Sequence, residues 1–203
     1  MTNPFPIALE LDGRDALVIG AHGEAPGAAL RLLEAGARVT VVAPGEVHEP
    51  IAQAAAAGRL ALHRRPFDDA DLEGKALVLI APGDDALSRR LHRELTAAGR
   101  LVCTLDRPEV SSFSNMAVVS VPGLTIAFSS HGASPGTLRR IREDLTALFS
   151  DPRFAAYLDA LRRARARLPR GAARMARMRA AVEGFGIEAR LRFPGWFERG
   201  EEP

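Results

Sequence analysis

The sequence predicts an α/β protein: a Rossmann-type domain with a parallel, doubly wound sheet, then a small α+β dimerisation domain and a helical C-terminal region. Three observations predict this. As far as Asp106, short apolar runs alternate with longer segments in which Leu and Ala recur at helical spacing. A glycine-containing turn follows the first of those runs. After Pro108 the rhythm changes, because two apolar runs are joined by Pro122-Gly123 alone, with no room for a crossover helix.

The elements follow in order. Asp15-Ala-Leu-Val-Ile19 reads as a buried strand, then an Ala/Leu-rich helix ends at Gly36 and Arg38-Val-Thr-Val-Val-Ala43 returns as a strand, completing a βαβ unit. Leu60 to His63 is a further short strand. Ala76 to Ala81 is another, leading through Pro82-Gly83 to a helix capped by Asp84, with Leu87, Leu91 and Leu95 on its buried face. Leu101 to Leu105 closes the series. Met116 to Val121 and Leu124 to Phe128 form an antiparallel pair. Ser134 is an N-cap, with Pro135 at the first position of a helix whose apolar side is Leu138, Ile141, Leu145 and Leu148. From Asp151-Pro152, Phe154, Leu158, Leu161 and Leu168 mark one helix. Beyond Pro169-Arg-Gly171, Met175, Met178 and Val182 mark a second, with the methionines in a core or a dimer interface. Trp196 and Phe197 are expected to staple the tail to the body. The expected domains are residues 1–110, 111–150 and 151–203.

Composition narrows the function. The 203 residues, 47% of them hydrophobic, suffice for one large or two small globular domains. No apolar run approaches the roughly 20 residues that cross a bilayer, and Met1-Thr-Asn-Pro-Phe-Pro6 lacks the order of a signal peptide, so a cytoplasmic protein is expected. The single Cys103 rules out an internal disulfide. Five scattered histidines give no Cys/His cluster, so no metal site is expected. Net charge is +2, yet between Asp151 and Arg192 eleven arginines face four carboxylates. No aromatic interleaving or nucleic-acid motif accompanies them, so nucleic acid is not an expected partner. Solvated helix faces are the first reading and a polyanionic small molecule the functional one.

Two segments carry chemistry. In Val18-Ile-Gly-Ala-His-Gly-Glu-Ala25, Gly20 and Ala25 fit the first and third positions of the dinucleotide fingerprint G-x-G-x-x-G/A, while His22 occupies the second. That side chain either crowds the nucleotide or points outward while Gly23 takes over. No acidic residue stands directly after the second strand, where Ala43-Pro44 precede Glu46. The other segment is Leu124 to Arg140, which delivers Ser129 and Ser130 into Gly132-Ala133-Ser134-Pro135 at a helix start, a setting suited to an anion.

Asp71-Leu-Glu-Gly74, Ala81-Pro-Gly-Asp-Asp85, Asp106-Arg-Pro108 and Ser129-Ser-His-Gly-Ala-Ser-Pro135 occur in this order behind the opening βαβ. Their order resembles the precorrin-2 dehydrogenase/sirohydrochlorin ferrochelatase family of sirohaem biosynthesis, over roughly residues 5–150 and loosely into the C-terminal helices. The resemblance implies an NAD-binding first domain, a central domain that builds a homodimer, and a helical end. It also implies the reaction, in which NAD⁺ takes a hydride from precorrin-2 to give sirohydrochlorin, with Fe²⁺ inserted in the same cleft by bifunctional members. The pathway is that of sirohaem or cobalamin.

The resemblance places Gly20, Ala21, His22, Gly23, Glu24, Ala25, Ala43, Pro44, Ala81, Pro82 and Gly83 at the cofactor. It places Ser129, Ser130, His131, Gly132, Ser134 and Arg139 at a tetrapyrrole rich in carboxylates, with Arg140 and Arg142 following. Asp106, at the end of the fifth strand, falls on the family's Asp and becomes a general base, work suited to a partly buried carboxylate; read alone, it is a turn residue. The chain departs from the family at His22, at Gly83 for Thr, at Ser88 and Cys103 for Asn, and at His131 for Gly. Most departures fall on the nicotinamide side. The alternative function is a chelatase, or a non-catalytic tetrapyrrole- or nucleotide-binding protein, that keeps the fold without hydride transfer.

Overall fold

The computed structural model describes residues 5–81 and 83–202; Pro82, expected at the cofactor, and the first four residues of the start read above lie outside them. The chain folds as two compact units that divide between Asn115 and Met116.

In the first unit five strands, β1 (Asp15–Ile19), β2 (Arg38–Val42), β3 (Ala61–His63), β4 (Leu77–Ile80) and β5 (Leu101–Thr104), form a parallel sheet in the order β3-β2-β1-β4-β5. The chain winds outward from β1 to one edge and from β4 to the other. The order therefore reverses between β1 and β4, and the crevice beyond the C-terminal ends of those two strands is where such sheets take ligands. Alternate residues feed two cores, as the pleat requires. Ala16, Val18, Val39, Val41 and Leu79 pack with Ala28 and Ala29 of helix α1 (Ala25–Glu34) and with Ile51 and Ala54 of α2 (Glu49–Ala56). Leu17, Ile19, Val78, Ile80 and Val102 pack with Leu91 and Leu95 of α3 (Asp85–Ala97). The doubly wound sheet is as the sequence predicts.

Helix α2 was not legible in the sequence. Its N-cap, His48, makes no side-chain capping bond, and only Ile51 and Ala54 of its eight residues are buried, so no full apolar stripe marks it, and Glu49-Pro50 in its first turn is the one start signal it carries.

The second unit starts with the antiparallel hairpin β6 (Ala117–Val121) and β7 (Leu124–Phe128), Val121 facing Leu124 across Pro122-Gly123. Gly123 has φ 83°, and a Cβ there would stand 3.1 Å from Leu158 Cδ1, so this turn excludes side chains on two counts. Helix α4 (Pro135–Phe149) packs on β6, and α5 (Pro152–Arg167) pairs with α6 (Ala172–Ala181). Among its described residues, Val119 is the one hydrophobic side chain of this unit that is fully buried. Met175 is 59% exposed, which excludes the core reading for it within a single chain, while Met178 is half-buried; Val182 is exposed too. Leu148 and Ile141 are exposed as well. In the short α7 (Gly195–Glu198) Trp196 meets Phe197 edge-on and Phe197 lies tilted against Phe193; these ring contacts are within the tail, and Phe197 remains exposed.

Candidate functional site

The loop from β1 to α1 lies at the point where the strand order reverses. Gly20, with φ 87°, follows β1 and donates its N–H to the Val42 carbonyl at 2.8 Å. A Cβ on Gly20 would stand 2.7 Å from the Ala81 methyl, so the two strand ends approach as closely as they do only because Gly20 has no side chain. Ala21 and Ala25 are buried, whereas His22, Gly23 and Glu24 are exposed. Glu24 is the N-cap of α1 and makes no side-chain capping bond, and no atom lies within 4 Å of the Cβ position on Gly23. The first turn of α1 is thus left uncapped beside open space, an arrangement that receives anions.

The exposed His22 ring stands beside this turn: its Cε1 is 3.5 Å from the Cβ position on Gly20, and its Nε2 is 3.8 Å from that on Gly83. Beyond β2, Ala43 is buried and Pro44 exposed, and Arg64 Nη1 donates to the Gly45 carbonyl at 3.4 Å.

Asp106 sits one residue past Leu105, whose N–H still bonds the Ile80 carbonyl at 3.0 Å, so it stands beyond the C-terminal end of β5. It is exposed, which corrects the expected partial burial: the turn that reverses the chain after β5 carries it off the sheet. Its backbone is left-handed, with φ 59°. The turn is held by Ser111, whose Oγ accepts from Thr104 N at 3.0 Å and donates to the Arg107 carbonyl at 2.8 Å. Arg107 is ion-paired with Asp85, in the first turn of α3, at 2.6 Å and with Glu109. Arg107 and Arg89 hold the Asp85 carboxyl below the ordinary carboxylate range. Sequence reading gave Ser111, Asp85 and Arg107 no role, although Asp85 and Arg107 lie in two of the motif blocks and are opposite in charge.

In the second unit β7 ends in the serine loop. Ser129 Oγ accepts from His131 N at 3.0 Å, Ser130 Oγ from Ser134 N at 3.3 Å, and Ser134 Oγ from Thr137 N at 3.1 Å. Each hydroxyl thus uses lone pairs to hold the loop. The protons of Ser129 and Ser130 remain available to donate to a carboxylate, and Ser134 shares a 2.9 Å contact with the Thr137 hydroxyl. His131 is exposed and left-handed, with φ 52°. Among the described residues, Asp106 and His131 are the two non-glycine positions with positive φ, and both are residues singled out as site candidates. Such backbone costs energy and concentrates where function requires it. Arg139 pairs with Glu143 at 3.0 Å and Arg140 with Asp144 at 3.0 Å, along the exposed face of α4.

A family model described as "Putative NAD(P)-binding" matches residues 7–117. The chain belongs to this NAD(P)-binding family. It is also 38% identical over 145 residues to the siroheme synthases of Escherichia coli O139:H28 (strain E24377A / ETEC) and of Escherichia coli strain K12 / DH10B. That match takes in 71% of this chain and 31% of theirs, so the chain spans about a third of the length of these relatives. A solved structure, "SirC, precorrin-2 dehydrogenase", superposes with a TM-score of 0.71 at 26% identity, over 89% of this chain and 90% of that one.

For a member of the NAD(P)-binding family the loop geometry fits a dinucleotide. Gly20 gives the close strand approach, Gly23 the open space and α1 the uncapped N-terminus, while Ala25, Ala28 and Ala29 let α1 lie close on the sheet. The departures from the resembled family have structural uses. Ser88 is buried and donates to the Asp84 carbonyl at 2.8 Å, fixing the start of α3. Cys103 is buried under the sheet, and burial pushes its thiol up, so it is no nucleophile. Among the described residues no group of three or more His, Cys, Asp or Glu side chains is placed to hold a metal, and no helix is long and apolar enough to cross a membrane.

Proposed function

We propose that the protein oxidises precorrin-2 to sirohydrochlorin with NAD⁺ as hydride acceptor, in sirohaem or cobalamin biosynthesis, as a cytoplasmic homodimer. The observation that carries this reading is the likeness to SirC along 89% of the chain, which is more than the nucleotide-binding unit alone could supply. The scant burial in the second unit supports the homodimer, because one fully buried hydrophobic side chain makes a poor core.

In this reading Gly20, Ala21, Gly23, Glu24 and Ala25 receive the pyrophosphate at the start of α1, with His22 beside it. Ala43 and Pro44 flank the adenosine ribose, and Ala81, Pro82 and Gly83 flank the nicotinamide. NAD⁺, when bound, supplies the hydride acceptor. Asp106 takes the proton that the macrocycle loses with the hydride, so that the ring gives up two protons and two electrons in all. Ser129, Ser130, Ser134 and the Gly132 backbone position the substrate's carboxylates, with His131 and Arg139 at the rim. Arg139 is available because an exposed intrahelical pair such as that with Glu143 is worth little and exchanges readily.

Insertion of Fe²⁺ as a second substrate fits the same carboxylate. Pyrrole nitrogens lose two protons as the metal enters, and Asp106 can accept them in turn. A chelatase without hydride transfer is the second reading, and the His22 ring beside the Gly20 turn favours it. Anaerobic incubation with precorrin-2 and NAD⁺, then with Fe²⁺, separates them. The proposal expects one NADH for each sirohydrochlorin before iron is added; sirohaem formed from sirohydrochlorin without any NADH from precorrin-2 would leave only the chelatase.

A further inference from the structure

The exposed surface of α5 and α6 is the most strongly charged part of the molecule, and nothing assigned so far uses it. From Ala160 to Val182 the chain holds eight arginines and no carboxylate. Arg162 pairs with Asp159; the other seven make no ion pair among the described residues, whereas Arg38, Arg65, Arg90, Arg107, Arg139 and Arg140 all do. Like charges recur one helical turn apart, at Arg163 and Arg167 on α5 and at Arg174 and Arg177 on α6, where they repel with no ion pair among the described residues to offset them.

Charge also divides between the two units. Residues 1–115 carry twelve Arg and Lys against sixteen Asp and Glu, while residues 116–203 carry fifteen against nine. A polyanion is thus drawn toward the unit that holds the serine loop and repelled from the other.

We propose that the α5–α6 arginine face is an electrostatic capture surface for a macrocyclic polycarboxylate, which it gathers from solution for the serine loop of the same unit. The identity of that ligand as substrate rests on the function proposed above. The composition of the face favours a carboxylate-rich small molecule over nucleic acid. Between Pro152 and Val182 there is no Ser, Thr, Asn, Gln or His to read a base edge. The aromatic residues Phe154 and Tyr157 are half-buried in a cluster with Phe149 and Phe185, not interleaved with the arginines. The face acts at a distance. α5 meets the hairpin at Gly123, and the serine loop begins after the far end of β7, five residues and ~17 Å along the strand. At that range a field steers arrival at low salt and is screened at high salt.

The test uses the full chain with Arg163, Arg165, Arg167, Arg177 and Arg179, all exposed, changed together to Gln, and a second variant with all five changed to Lys. Stopped-flow fluorescence would follow association of uroporphyrin, which bears a carboxylate on every peripheral arm, and of coproporphyrin, which bears half as many. In 10 mM salt the Gln variant is expected to associate with uroporphyrin about tenfold more slowly than wild type, the difference fading by 0.5 M salt and being smaller for coproporphyrin. The Lys variant is expected to match wild type, and unchanged far-UV circular dichroism and urea midpoints of the full chain report that the variants are folded. Equal rates for wild type and the Gln variant at low salt would overturn the proposal, as would tighter binding of a 20-nucleotide single strand than of uroporphyrin. Steered uroporphyrin binding without oxidation of precorrin-2 would instead overturn the proposed reaction and leave the capture surface standing.

Discussion

The imidazole of His22 bridges from the β1–α1 loop toward the β4–α3 loop, its Nε2 standing 3.8 Å from the Cβ position on Gly83. A dinucleotide crossing from α1 to the end of β4 must pass this ring. The side chain is exposed, and His22→Gly removes it and restores the middle glycine of the dinucleotide fingerprint. His22→Gly should therefore tighten NAD⁺ binding by about fivefold, as calorimetric titration would read. Weaker binding by the glycine variant would show that the ring contacts the nucleotide favourably.

Asp106 combines an exposed carboxylate with a left-handed backbone, a conformation that Asn tolerates and Ala does not. Asp106→Asn should keep the fold and NAD⁺ affinity while lowering turnover by about 10²-fold or more, the usual contribution of a general base. Asp106→Ala should lose as much activity and in addition about 1 kcal/mol of stability from strain. Undiminished turnover in the Asn variant would remove Asp106 from the chemistry.

Ser134 caps α4 and spans the serine loop and the helix. Ser134→Ala should lower the urea midpoint by an amount equivalent to about 1 kcal/mol. It should also weaken uroporphyrin binding, because Ser134 ties the loop through its N–H to the Ser130 hydroxyl and fixes the helix start through its own hydroxyl, so loosening the cap loosens the loop. A stability loss with no change in porphyrin affinity would separate the cap from the site.

The fold was legible wherever pattern and burial agree. All five parallel strands and the β6–β7 hairpin appear at the predicted places, because each is a short apolar run bounded by turn residues. The caps Asp84 and Ser134 were legible because each is an acceptor just before an apolar-periodic segment. Helix α2 lacks the cap and the full apolar stripe, with Glu49-Pro50 as its one start signal. The exposure of Met175 and Val182 was not legible either: helical spacing fixes which residues share a face but not whether another surface covers it. At the site, the serine loop and the Gly20 turn could be located from sequence, while the Arg107–Asp85 pair and the Ser111 clasp join residues distant in sequence and needed coordinates.

The Asp71-Leu-Glu-Gly74 block proves structural. Asp71 receives two bonds from Arg65, at 2.6 and 2.8 Å, and one from Asp68 N in a reciprocal cap. The Arg65 guanidinium lowers its carboxyl from 3.8 to about 2, against burial, with the Asp68 N–H assisting. A carboxyl lowered on folding stabilises above its unfolded value and loses that contribution as pH falls through the folded one. Asp71→Asn should accordingly be less stable than wild type at pH 7, with the gap in urea midpoint closing between pH 4 and pH 2. A gap that persists below pH 2 would refute the charge-based account.

The central claim is that the altered glycine loop still holds NAD⁺ for oxidation of a tetrapyrrole. Its most direct test is a calorimetric titration of the purified protein with NAD⁺, followed by anaerobic addition of precorrin-2 to the same loaded sample with absorbance recorded at 340 nm. The account predicts saturable NAD⁺ binding and NADH rising in step with the sirohydrochlorin spectrum. No heat of binding and no NADH, from a protein that still binds the tetrapyrrole, would contradict it.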